Sequence, residues 1–200
     1  MGISIDVKSI VTPKEHHIVG QSNSQDYQYA DLQALCQIFG WSSVPWLEPS
    51  PVRGTTDTSC GSSRYYRLLG VARAHARSTP LRVYNEEQPP ALTADEERLF
   101  PHLLIRAIWS NYYLPIDFDR PRQFEGTWGT VSVGSSIRLQ HELTYLAAII
   151  SHLQAQLVTK LRTLTKEQEE VINDASELCD LFLTAAQESL ELNLPLLLHG

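Results

Sequence analysis

Two apolar stripes near the C-terminus constrain this chain more than any other feature. Leu139, Leu143, Leu146, Ile150, Leu153 and Leu157 recur at spacings of four and three, and Val171, Ala175, Leu178, Phe182, Ala185 and Ser189 repeat the rhythm. Residues so spaced share one face of an α-helix. Between the stripes, Thr165-Lys166-Glu167-Gln168 reads as a capping box, in which Thr165 and Gln168 satisfy each other's backbone N–H groups. Two helices of matched length with a short connection predict a long antiparallel hairpin over about residues 135–192. Ala147, Ala148, Ile149, Leu181 and Leu183 fall outside the stripes, so the hairpin is expected to bury more than one face, against its own domain or a second copy.

The remaining chain reads as a mixture. Ile3, Ile5 and Val7 alternate with polar residues, as in a short half-buried strand. Leu32, Leu35 and Phe39 predict a helix from about Asp26, stopped by Gly40. Residues 41–62, with Pro45, Pro49, Pro51, Gly54 and Gly61, read as a long loop. A helix follows over about Ser63–Arg77, and Thr93 with Glu96 caps another running to Trp109, bent at Pro101. An extended run over Tyr112–Phe118 leads to one short strand within Gly126–Gly134, where Val131 and Val133 alternate. The expected fold is a single domain over residues 1–200, mainly α (α+β), with a small β component and the C-terminal hairpin. Two hundred residues can bury enough surface to need no metal or disulfide staple.

Several function classes find no support. Cys36, Cys60 and Cys179 form no Cys-x-x-Cys pair, which favours reduced thiols. His16 and His17 are adjacent, and His141 and His152 stand about 16 Å apart along a helix, so neither pair suits one metal ion. Gly126, Gly129 and Gly134 match no dinucleotide fingerprint, and the phosphate-loop and nucleophile-elbow motifs are missing. No metal and no cofactor are expected. Met1-Gly2-Ile3-Ser4-Ile5-Asp6 lacks the cationic, apolar pattern of a signal peptide, and no apolar run reaches the roughly 18 residues of a membrane span. A cytoplasmic protein with no membrane partner is expected.

Charge is distributed unevenly. Thr58–Asn85 holds no acid but carries Arg64, Arg67, Arg73, Arg77 and Arg82. The last helix shows the reverse, with Glu167, Glu169, Glu170, Asp174, Glu177, Asp180, Glu188 and Glu191 against Lys166 alone. The basic segment reads either as an anion or nucleic-acid patch, with Tyr65 and Tyr66 for stacking, or as a partner for the acidic helix. A net charge of −7 weighs against a nucleic-acid partner. Cys60, at a helix start near Arg64, is a thiol of open reactivity; its spacing to Arg64 and Arg67 fits no phosphatase loop.

The run Tyr113-Leu114-Pro115-Ile116-Asp117-Phe118, then Gly134-Ser135-Ser136 with Leu139, Glu142 and Leu143, resembles a pattern in uncharacterised bacterial proteins. The resemblance covers about 30 residues; it implies a bacterial origin and no named activity. The leading expectation is a non-enzymatic protein, binding a protein partner or a second copy of itself through the hairpin. The alternative is an enzyme or sensor for an anionic small molecule. Its site would join the helix starts at Ser62-Ser63 and Gly134-Ser135-Ser136 with Arg64, Arg67 and Asp117, because unpaired N–H groups at a helix start favour anions.

Overall fold

The computed structural model describes residues 2–8, 34–40, 53–81, 91–105, 110–126, 129–159 and 164–199. In chain order these form β1 (Gly2–Lys8), a helical stretch α1 (34–39), β2 (Arg53–Gly61), α2 (Ser62–Ala76), α3 (Ala94–Leu99), β3 (Ser110–Leu114) and β4 (Arg122–Gly126). They continue with β5 (Gly129–Ser135), α4 (Ser136–Val158), α5 (Lys166–Leu192) and β6 (Leu196–His199). The described strands make one six-stranded sheet in the order β2-β1-β6-β3-β5-β4. Neighbours pair antiparallel except β3 and β5, which run parallel.

This corrects the expected fold class. The protein is α+β with a substantial mixed sheet, not a mainly helical domain with a small β component. Two strands escaped the sequence because their order comes from pairing and not from side-chain alternation. β2 is rich in Gly, Ser and Thr and falls in a span expected to be loop, yet Gly2 to Lys8 of β1 pair with Gly61 to Arg53 across it. β6 lies between β1 and β3, with Leu196, Leu197 and Leu198 all buried. A strand covered on both faces reads as a continuous apolar run with no period. The strand expected within Gly126–Gly134 forms as β5, and β4, ahead of that range, pairs with it antiparallel, with Gly126 opposite Gly129.

The helix opened by Thr93 is shorter than expected. Both capping-box hydrogen bonds form, but α3 ends at Leu99 with Phe100 in a non-helical conformation. Pro101 explains the stop, since a proline disfavours helical backbone in the residue before it. The loop expected over 41–52, the helical residues expected before 34 and Arg82 lie outside the described residues.

The hairpin forms as the stripes predict. Leu139, Leu143, Leu146 and Ile150 of α4 are buried, as are Val171, Ala175, Leu178, Phe182, Ala185 and Ser189 of α5. α5 packs on β1, β2 and β6 and on both α2 and α4, while α4 covers β3 and β5. At its end Asn193 adopts left-handed backbone at φ 52°, a conformation Asn tolerates, and turns the chain toward β6. Ser189 Oγ donates to the Leu194 carbonyl at 2.6 Å and lies 2.8 Å from Ser136 Oγ, tying the start of α4 to the end of α5.

Leu146 is wholly buried whereas Leu153 is half-buried. Leu146→Ala should cost about 2–5 kcal/mol in equilibrium denaturation, and Leu153→Ala less than about 2.

Candidate functional site

The arginines expected as an anion patch are occupied inside the fold. Arg64 of α2 reaches Glu177 of α5 and places Nε 3.4 Å from Asp174 Oδ1, and Arg67 pairs with the other Asp174 oxygen. At the C-terminal cap of α2, Arg77 forks onto Glu96 with bonds of 2.9 and 3.0 Å, and Arg73 Nε stands 3.9 Å from the same carboxylate. Burial alone would raise the Glu96 carboxyl, yet hydrogen bonds from Arg77 and the Thr93 N–H hold it below the usual range. Tyr65 is buried and stacks on Phe182 at 6.0 Å, so it offers no face to a base.

These pairings leave a surface of one sign along α5. Glu167, Glu169, Glu170, Glu177 and Asp180 are exposed and Asp174 half-exposed, on the arc facing away from the buried stripe. These six carboxylates occupy about 20 Å of helix axis at 1.5 Å per residue. Among the described residues, none of Glu167, Glu169, Glu170 and Asp180 has an ion pair; Lys166 is the one cation on the helix. The residues that supply the surface were visible in the sequence; their common outward arc follows from the burial of the opposite face. The neighbouring α4 adds little charge, because Glu142 is buried and its exposed positions carry His, Thr, Tyr, Ala and Ser.

The two helix starts of the expected small-anion site do not meet. β2 and β5 run in opposite directions with β1, β6 and β3 between them, so Ser62-Ser63 and Ser135-Ser136 stand at opposite ends of the sheet. Gly61 caps α2 without a side-chain bond, and Arg64 and Arg67 face α5. At α4 the start is closed. Ser135 Oγ accepts from the Arg138 N–H and donates to the Ile116 carbonyl, while the Ser135 N–H donates to His102 Nδ1 at 2.9 Å. Ser135 and Ser136 have no exposed surface. Gly134 is needed for packing, since a Cβ there would lie 2.6 Å from the Tyr113 ring and 2.9 Å from Ile105. Asp117 takes a fork from Arg138 at 2.6 and 3.3 Å, and Asp119 shares that guanidinium.

Beneath this start lies a buried polar cluster that the sequence did not reveal. Glu142 accepts the His102 N–H at 3.0 Å and the Leu103 N–H at 2.7 Å, and Tyr113 Oη donates to the His102 carbonyl. His102 Nε2 donates to the Asp119 carbonyl, which fixes the neutral tautomer. Burial pushes the Glu142 carboxyl up to about 8 and the His102 imidazole down to about 4. Burial likewise raises the Cys60 thiol, opposing the thiolate a nucleophile needs. Cys179 is pushed up to about 12. His141 is exposed, His152 bonds Gln156, and His16 and His17 lie outside the described residues.

Two consequences are measurable. A carboxyl raised from 4.5 to about 8 stabilises the fold at low pH and loses that contribution as pH rises through this window. An imidazole lowered from 6.5 to about 4 does the reverse, losing stability as pH falls through its window. The two slopes oppose each other up to pH 6.5, above which Glu142 acts alone. Unfolding free energy should fall by about 2 kcal/mol from about pH 6.5 to 8, and Glu142→Gln should remove that fall. Asp117→Asn, at an exposed pair, should cost less than about 1 kcal/mol.

No curated protein and no solved structure matches the chain. A family model described as "Putative DNA-mimic protein" matches residues 1–198. This match overturns the expected function, an unassigned protein-binding or regulatory role with a small-anion enzyme or sensor as the alternative. It also overturns the expected partners, a second copy or an unspecified protein held through the apolar faces of the hairpin. Packing agrees, since the stripes are spent inside the fold and the exposed large hydrophobics among the described residues are Tyr145, Val158 and Leu192. With a match over nearly its whole length, the chain belongs to this DNA-mimic family.

Proposed function

We propose that this protein is a DNA mimic whose α5 carboxylates stand in for phosphates and whose partner is a DNA-binding protein. The observation that carries the reading is the six-carboxylate surface over Glu167–Asp180, taken with the family match. One strand of B-DNA carries a phosphate about every 3.4 Å, hence about six over 20 Å. Six carboxylates over the same length match that number of acidic groups, with Arg64 and Arg67 offsetting two of the charges. A protein surface built to neutralise phosphates is cationic, and it would be drawn to such a helix by the same long-range field.

The mimicry is of the backbone. Phosphate contacts position a protein on DNA and base edges specify sequence; α5 presents carboxylates along an arc and has no groove. The matching partner therefore grips duplex backbone. Such a partner places the protein in the compartment that holds DNA, which in a bacterium is the cytoplasm; no described helix is long and apolar enough to cross a membrane.

The test is displacement by DNA itself. Immobilised protein, exposed to nuclease-treated bacterial extract, should retain proteins that a duplex of about 20 base pairs, roughly two helical turns, then releases. The combined variant Glu167→Gln, Glu169→Gln, Glu170→Gln and Asp180→Asn should retain none of them. Retained proteins that the duplex leaves in place would overturn the proposal.

A further inference from the structure

We infer that Arg64 and Arg67 are positioning residues for the acidic surface, holding Asp174 and Glu177 in one arrangement that a DNA-binding protein meets ready-made. This rests on the DNA-mimic reading above and deepens it. The geometry is a continuous ladder between two helices, running Arg67, Asp174, Arg64, Glu177. Asp174 takes a hydrogen bond from Arg67 at one oxygen and has Arg64 Nε 3.4 Å from the other, and its side chain is 25% exposed. Glu177 is gripped through Oε2 alone and is 72% exposed, so its other oxygen stays open to an incoming cation.

Two arginines set against an acidic surface weaken its field, so charge alone gives no reason for them. Order does. Phosphates in a duplex are held at regular spacing by covalent bonds, whereas an exposed Glu on a helix samples many rotamers that binding must freeze. The Arg64 guanidinium removes part of that freedom beforehand, because one rigid plane spans two carboxylates, its Nη2 bonded to Glu177 and its Nε beside Asp174, which Arg67 bonds from the other side. Arg73 of α2 and Arg77 at its C-terminal cap serve elsewhere, since both face Glu96. The surface thus has a fixed centre at Asp174 and Glu177, flanked by Glu167, Glu169, Glu170 and Asp180, which have no ion pair among the described residues.

Charge and order predict opposite outcomes, which makes the inference testable. The probe is the most abundant protein released by the duplex in the preceding experiment, purified free of DNA. Its affinity is measured by titration against the natural chain, Arg64→Lys/Arg67→Lys and Arg64→Gln/Arg67→Gln. Each is held well below a melting temperature determined separately. The lysine pair keeps the net charge and loses the planar guanidinium that spans Asp174 and Glu177, so its Kd should rise about tenfold with the salt dependence unchanged. The glutamine pair should also bind more weakly, although it adds two units of net negative charge. A lysine pair that binds within about twofold of the natural chain, or a glutamine pair that binds more tightly, overturns the inference and leaves the DNA-mimic reading standing. A natural chain that retains nothing the duplex can release removes the surface itself, and with it both readings.

Discussion

Burial of one face of α5 sets most of what this molecule is. Val171, Ile172, Ala175, Leu178, Cys179, Phe182, Ala185 and Ala186 are almost wholly removed from water, against the sheet and against helices on either flank. Burial on this scale is worth about 1.5–3 kcal/mol for each large side chain, enough to hold the helix in a single rotation about its axis. Once that rotation is held, the carboxylates have nowhere to go but outward or onto α2. The same burial carries the chain to Asn193 and through the turn into β6. The sheet therefore gains its link between β1 and β3 only when the C-terminal strand enters.

Charge follows from this packing in a way that net composition hides. The formal charge of −7 is modest for 200 residues, yet acids and bases do not cancel locally. Arg64 and Arg67 meet two of the α5 acids, Arg73 and Arg77 converge on Glu96, and Arg138 answers Asp117 and Asp119. What remains along α5 is a strip of one sign, partly neutralised at its centre. The exposed Arg64–Glu177 pair contributes little to stability and matters more for where Glu177 points, whereas Arg67 and Asp174 meet part-buried between the helices.

The start of α4 shows why a helix N-terminus after a glycine is weak grounds for a ligand site. The Ser135 hydroxyl caps, its N–H meets His102, and Gly134 admits the Tyr113 ring. Glu142, two turns along, reaches under the same corner to take the backbone N–H groups of His102 and Leu103. A carboxyl so buried resists ionisation, and the cluster ties α4 to the segment after α3 through polar groups whose partners are all internal.

The sequence by itself determined the elements whose order is local. The hairpin, both capping boxes and the strand at Ile3–Val7 follow from periodicity and from hydrogen bonds between residues three apart, and the eight acids of the last helix stood in plain view. Tertiary structure alone decided the rest, because the deciding contacts lie far apart in the chain. β2 exists because β1 pairs with it about fifty residues earlier in the chain, and β6 because β1 and β3 leave a gap between them. His102 carries no signal in the sequence and Glu142 stands there only as part of a short pattern; the two form a buried cluster only when α4 folds over β3 and β5. Which arginines would meet which carboxylates, and so which acids stay free on the surface, was set by the crossing of α2 and α5; side-chain periodicity carries no information about that crossing.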